Sequence, residues 1–156
     1  MKLFTLFIFS LTASQVFSQE NFSSQIDIND LPVETVEIDF STMSEDSLTY
    51  YTNKFLAESF LNCNEHISNY SSMTKNYVSR IKIIKLNNDH MDGYKNISSI
   101  DIKNKCNPSL VHSSFSEFNI KYFNPVKYRI DFLKEEVQLF RLYNSNCIMY
   151  VEKYSK

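Results

Sequence analysis

Glycine is almost missing from this chain: Gly93 is the single one in 156 residues. That scarcity removes several chemistries at once. A phosphate-binding loop needs glycines that let backbone amides approach the anion, and a Gly-x-Ser-x-Gly nucleophile elbow needs two. No His-Glu-x-x-His run is present either, which excludes the helical zinc-protease pattern. Tryptophan is absent and prolines number 3. An excess of charge of one sign is absent: 16 Lys and Arg against 18 Asp and Glu leave a net -2, with no polybasic run and no acidic tail. A balance of that kind has no electrostatic footprint for nucleic acid or an anionic surface.

The N-terminus carries the one long apolar run. Lys2 is followed by LFTLFIFSL and then TASQVFS before Gln19. This order of positive start, apolar centre and small-residue site predicts a signal peptide over residues 1–18, cleaved before Gln19. The run is interrupted by Ser, Thr and Gln and falls short of the roughly 20 apolar residues that cross a bilayer. The expectation is therefore a secreted or periplasmic protein with no membrane span in the mature chain. Residues 19–30 read as a flexible polar leader, and residues 31–156 as a single domain large enough to bury its own core.

Cysteine is scarce too. Cys63, Cys106 and Cys147 are spaced far too widely for a zinc knuckle. In an oxidising compartment three cysteines mean one bridge and one spare thiol. Cys106 lies in a loop-like stretch beside Lys103 and Lys105, where a free thiol would be exposed, so it is the expected bridge member. Cys63 and Cys147 both point into apolar layers, and either can be its partner.

The pattern of the remainder predicts an α+β fold. VETVEIDF alternates, with Val36, Ile38 and Phe40 on one side and Glu37 and Asp39 on the other, as in a half-buried strand. Ser44 is a good N-cap, followed by Glu45 and Asp46 in the first turn. From there Leu48, Tyr51, Phe55, Leu56, Ser59, Cys63 and Ile67 recur on one side of a long helix. YVSRIKIIKL is strand-like, with its alternation slipping at Ile83–Ile84 into either a bulge or two buried faces. YKNISSIDI reads as its partner strand. Residues 103–123 are ambiguous between strand and short helix. VKYRIDFL, EVQLFRLY and CIMYVEKY read as a three-stranded meander joined by tight turns. The expected architecture is one long helix packed on an antiparallel sheet of about five to six strands.

Between the two middle runs lies LNNDHMDGYKN, which combines Gly93, His90, Asp89 and Asp92. A calcium loop with Gly93 at its sixth position would place Ser99 at the twelfth, where a bidentate glutamate is required. As a transition-metal site it would need His66 or His112 brought alongside. As a hairpin turn, Asp92-Gly93 needs nothing more. The reading is a turn, with no catalytic residue, no metal and no cofactor assigned.

What remains is recognition. With Phe140 set opposite Tyr150 and beside Arg129, a second sheet face carries Arg129, Phe140, Leu142, Ile148 and Tyr150. Either another segment, such as 19–30 or 103–123, covers that face, or it is an exposed aromatic patch for a protein partner or for self-association. The function predicted is non-catalytic binding or a structural role. A small secreted hydrolase or thiol-dependent enzyme, drawing on Cys106 with a histidine or an acid, is the alternative.

Two resemblances bear on class. Strand, helix and then antiparallel strands resembles the cystatin layout, which implies an inhibitor as a further alternative; the Gln-x-Val-x-Gly and Pro-Trp signatures of that family are missing. VFSQE at the cleavage site resembles Bacteroidetes-type export signals. IDIKNKCNPSL, FNPVKYRIDF and FRLYNSNCIMYV resemble small exported Bacteroidetes proteins of unknown function, which implies location and brings no activity.

Overall fold

The computed structural model describes residues 28–63, 68–87, 91, 93–113 and 118–155. The fold is α+β. Its sheet is built from β1 (Val33–Asp39), β2 (Ile81–Leu86), β3 (Lys95–Asn96), β4 (Gln138–Arg141) and β5 (Cys147–Val151), in the order β1-β2-β5-β4-β3. Pairing is antiparallel except between β3 and β4, which run parallel. Two α-helices lie between β1 and β2: α1 (Glu45–Ser59) and α2 (Ser68–Val78). Among the described residues no helix is long and apolar enough to cross a membrane. The expected signal peptide and most of the expected leader fall outside the described residues. Ile28–Asp30, at the leader's end, is a 3-10 turn that belongs to the fold.

In place of the single long helix expected as far as Ile67, α1 ends at Ser59 and a second helix, α2, follows at Ser68–Val78. Ser44 caps α1 as expected, its hydroxyl accepting from the Ser47 amide at 3.3 Å. Leu48, Phe55, Leu56 and Ser59 are buried on its inner side, joined by Thr52. The helix then stops at Ser59 because its last carbonyls find partners outside it. Asn124 Nδ2 donates to Phe55 O at 3.0 Å, and Asn107 Nδ2 donates to Glu58 O at 2.6 Å. Helix ends leave such carbonyls without internal partners, and these two loop amides supply them. Cys63 consequently lies beyond α1. α2 is more polar, but Tyr70, Thr74, Tyr77 and Val78 recur at helical spacing, and Thr74 and Val78 are buried.

Ile83 and Ile84 are both fully buried, so β2 has core on both faces. The slip in its alternation has this cause, and β1 carries the bulges. Val36 pairs with Ile84 while Ile38 pairs with Ile83, one extra residue on the β1 side. Val36 and Ile38 therefore face opposite ways, against the simple alternation, and Val36 is left 52% exposed.

The C-terminal region differs most from expectation. VKYRIDFL forms no strand. Pro125–Lys127 is a 3-10 turn whose cap, Asn124, accepts from the Val126 amide at 3.0 Å, and only Tyr128 bridges, to Ile102. YKNISSIDI contributes just the two residues of β3, which pair with β4 and not with β2. The connection LNNDHMDGYKN is therefore not a hairpin, since β2 and β3 are not neighbours in the sheet. Two of the three meander strands survive as the β4–β5 hairpin.

The main core lies on the sheet face covered by both helices and by residues 97–102 and 118–132. Phe40, Phe55, Ile83, Phe123, Tyr128, Phe140 and Met149 are among its members. A smaller cluster of Ile84, Leu86, Met91 and Ile148 fills the other face, with Ile28, Leu31 and Tyr94 packed on it. The cover of the second face thus comes from Ile28, Leu31, Met91 and Tyr94.

Candidate functional site

The β4–β5 register decides the fate of the predicted patch. Leu142 N–H donates to Cys147 O at 2.8 Å, which encloses Tyr143, Asn144, Ser145 and Asn146 in the turn. The turn is one residue longer than the three-residue Asn-Ser-Asn joint read from sequence. Phe140 consequently stands opposite Met149, and Leu139 opposite Tyr150. A one-residue slip exchanges faces along a whole strand. Phe140 and Leu142 are therefore in the main core, Ile148 is in the second cluster, and Tyr150 is buried at 7% exposure. Arg129 is exposed elsewhere, on the segment bound to residues 101–103 through Arg129 N–H to Asp101 O at 2.8 Å. These five residues do not form one surface.

Cys106 is bridged, and its partner is Cys63. Cys147 is the free thiol, 3% exposed, and burial pushes its pKa up. Neither is the accessible, electropositive thiolate that nucleophilic catalysis needs. His66 and His90 lie outside the described residues. The His112 ring rests 5.9 Å from that of Tyr128. It shares an open polar depression of about 540 Å³ with Asp101, Asn104 and Arg129. Among the described residues no cluster of three His, Cys, Asp or Glu could hold a metal ion.

Beneath that depression lies a polar group that the sequence reading did not single out. Lys127 is buried, and its Nζ donates to Val111 O at 2.8 Å and Ser113 Oγ at 3.2 Å while lying 5.3 Å from the Tyr128 ring centre. Burial holds its pKa below the usual lysine value, partly offset by Glu58. The Tyr128 and Tyr143 hydroxyls are hydrogen-bonded to each other, and Tyr143 Oη accepts from the Ser113 amide at 3.1 Å. Tyr143 has a positive φ of 55°, and its carbonyl accepts from Asn96 Nδ2 at 2.8 Å. This network ties residues 111–113, the 3-10 turn and the β4–β5 turn together. With its donors and acceptors satisfied internally, it reads as structural.

The better candidate is a cleft of about 370 Å³ between the end of α1, α2 and the loop that carries Cys106. Its walls are two aromatic pairs. Phe60 and Tyr70 stack with ring centres 5.3 Å apart and planes at 19°; Tyr77 and Phe132 stack at 5.0 Å and 8°. Arg80 fixes the second pair from behind. Its Nη2 donates to Phe132 O at 2.5 Å, and its guanidinium lies 5.7 Å from the Tyr77 ring centre and 5.3 Å from that of Tyr154. The Cys63–Cys106 bond and the Asn62 N–H to Cys106 O hydrogen bond, at 2.9 Å, hold one rim to α1's end. Lys103 and Lys105 line the same cleft, and among the described residues no acidic one does.

Lys103 as a residue is exposed, yet its ammonium is crowded by the surrounding protein. Desolvation first, and then the like charge of Arg129, hold its pKa below the ordinary lysine value. The cleft was legible only in fragments. Lys103, Lys105 and Cys106 stand together in sequence, but Tyr70, Met73 and Tyr77 belong to a helix that the periodicity reading passed over.

No protein-family model, curated protein or solved structure matches this chain.

Proposed function

We propose that this chain is a small exported protein that binds a ligand without transforming it, and that the cleft between α1, α2 and the Cys106 loop is its recognition site. The observation that carries the reading is the cleft's composition: stacked aromatic walls, an immobilised rim, and two lysines with no acid among its described lining residues. Small-molecule sites are concave, mostly apolar and largely pre-formed, with a few polar groups that set orientation. Rigid walls lower the ordering cost of binding. Export is supported by the N-terminal pattern and by the disulfide, which persists in oxidising compartments.

Binding is tested by screening a fragment library against the ¹⁵N-labelled protein. Shifts concentrated at the amides of Tyr70, Thr74, Lys103 and Cys106 are expected. Hits scattered over the surface, or gathered at the depression beside Arg129, would overturn the assignment. Export is tested by intact mass: protein recovered from the periplasm or medium should begin at Gln19, and a recovered chain that retains Met1 would refute it.

A further inference from the structure

We propose that the ligand of this cleft is a small aromatic carboxylate, its ring held by the aromatic walls and its carboxylate by Lys103 and Lys105; this rests on the binding reading above. The ring follows from the walls. The Phe60–Tyr70 and Tyr77–Phe132 pairs line the cleft with aromatic carbon, against which a ring can pack, and Met73, 49% exposed, adds an adaptable thioether at the mouth. About 370 Å³ accommodates a two-ring molecule and not a folded partner.

The charge follows from what the lysines lack. Neither Lys103 nor Lys105 makes an ion pair with a described residue, and both line the cleft. The nearby carbonyl end of α1 would be the obvious internal use for a cation. Four of those carbonyls already accept a hydrogen bond. Phe55 O accepts from Asn124, Leu56 O from the Phe60 amide, Glu58 O from Asn107, and Phe60 O from the Cys63 amide. Both lysines thus line a largely apolar cleft with no ion-pair partner among the described residues. An anion there would offset both the desolvation and the repulsion from Arg129 that act on Lys103.

The experiment titrates the oxidised protein with 2-naphthoate and with its neutral isostere 2-naphthamide, followed by amide shifts and calorimetry. Naphthoate should bind in the cleft about tenfold or more tightly than the amide. Its advantage should shrink in Lys103→Gln and in Lys105→Gln, both surface changes whose folding is checked by melting. Naphthoate affinity should also fall as pH rises through the range where Lys103 loses its proton. Equal binding of the two probes, unmoved by either variant, would overturn the carboxylate inference and leave the cleft standing. Absence of cleft shifts with both probes would overturn the cleft itself.

Discussion

Phe140 stands directly opposite Met149 across the β4–β5 ladder, and Met149 in turn pairs with Ile83 of β2. All three are buried in the main core, Ile83 and Met149 completely. Phe140→Ala therefore removes a packed ring and should cost about 3 kcal/mol or more. A urea melt of the variant measures the loss, and sedimentation of the wild type tests for association. A small loss of stability combined with loss of self-association would mean that the ring belongs to an interface and not to the core.

The difference between these two outcomes traces to Tyr143. Read as a strand residue, it sets Phe140 opposite Tyr150 and builds an apolar patch. In the fold it opens the turn with a positive φ of 55°. A non-glycine residue there is strained, and nothing local in the sequence announces it. What holds it is distant: Asn96, Ser113 and Tyr128 each hydrogen-bond to it. The same division runs through the rest of the molecule. The Ser44 cap and the Cys106 bridge are local or compositional, and both were legible. The end of α1 depends on Asn107 and Asn124, and the parallel β3–β4 pair depends on the whole strand order, so neither could be read from a window of sequence. The cleft was hidden for that reason: its residues come from α1, α2 and the loop, and only the loop's were adjacent.

Gly93 has a φ of +113°, and a side chain added there would meet no atom within 4 Å. Space is free while the backbone conformation is not. Gly93→Ala should destabilise the protein by on the order of 1 kcal/mol through the positive-φ penalty. The hairpin in which this glycine was expected does not exist, but the conformational demand on it does. A thermal shift assay of the variant suffices, and an unchanged or raised midpoint would contradict the assignment.

The Cys63–Cys106 bond joins residues 43 apart in sequence. Closing a loop of that length restricts the unfolded chain, and its removal should cost about 3–4 kcal/mol. The paired variant Cys63→Ala with Cys106→Ala isolates this effect from reduction of the protein as a whole. Non-reducing peptide mapping comes first: Cys147 should be the alkylated thiol. A Cys106–Cys147 peptide would contradict the fold, because Cys147 lies in β5, paired with Lys85 in the sheet.

Alkaline pH tests the buried tyrosine pair. Burial, followed by the hydrogen bond to Tyr143, raises the Tyr128 pKa far above the phenol value of 10. In the unfolded chain the same phenol ionises near 10, so above that pH the folded state holds the extra proton. The stability Tyr128 contributes is therefore fully present below about pH 10 and falls as pH rises beyond it, by up to about 1.4 kcal/mol per pH unit. Tyr94 and Cys147, both raised by burial, act in the same direction, Cys147 from its ordinary value of 9.0 upward. Lys103 and Lys127, whose pKa values are lowered, act oppositely: stability rises with pH between their folded values and 10.5, then levels. Above pH 10.5, where the Lys103 and Lys127 contributions have levelled, the net profile should fall. In Tyr128→Phe the starting stability drops, because the Tyr143 hydroxyl loses one partner, but the alkaline fall becomes shallower by one proton's worth. Urea unfolding at half-unit pH steps separates the two effects. An unchanged alkaline slope in Tyr128→Phe would show that this phenol ionises in the folded protein, and hence that water or a counter-charge reaches the network.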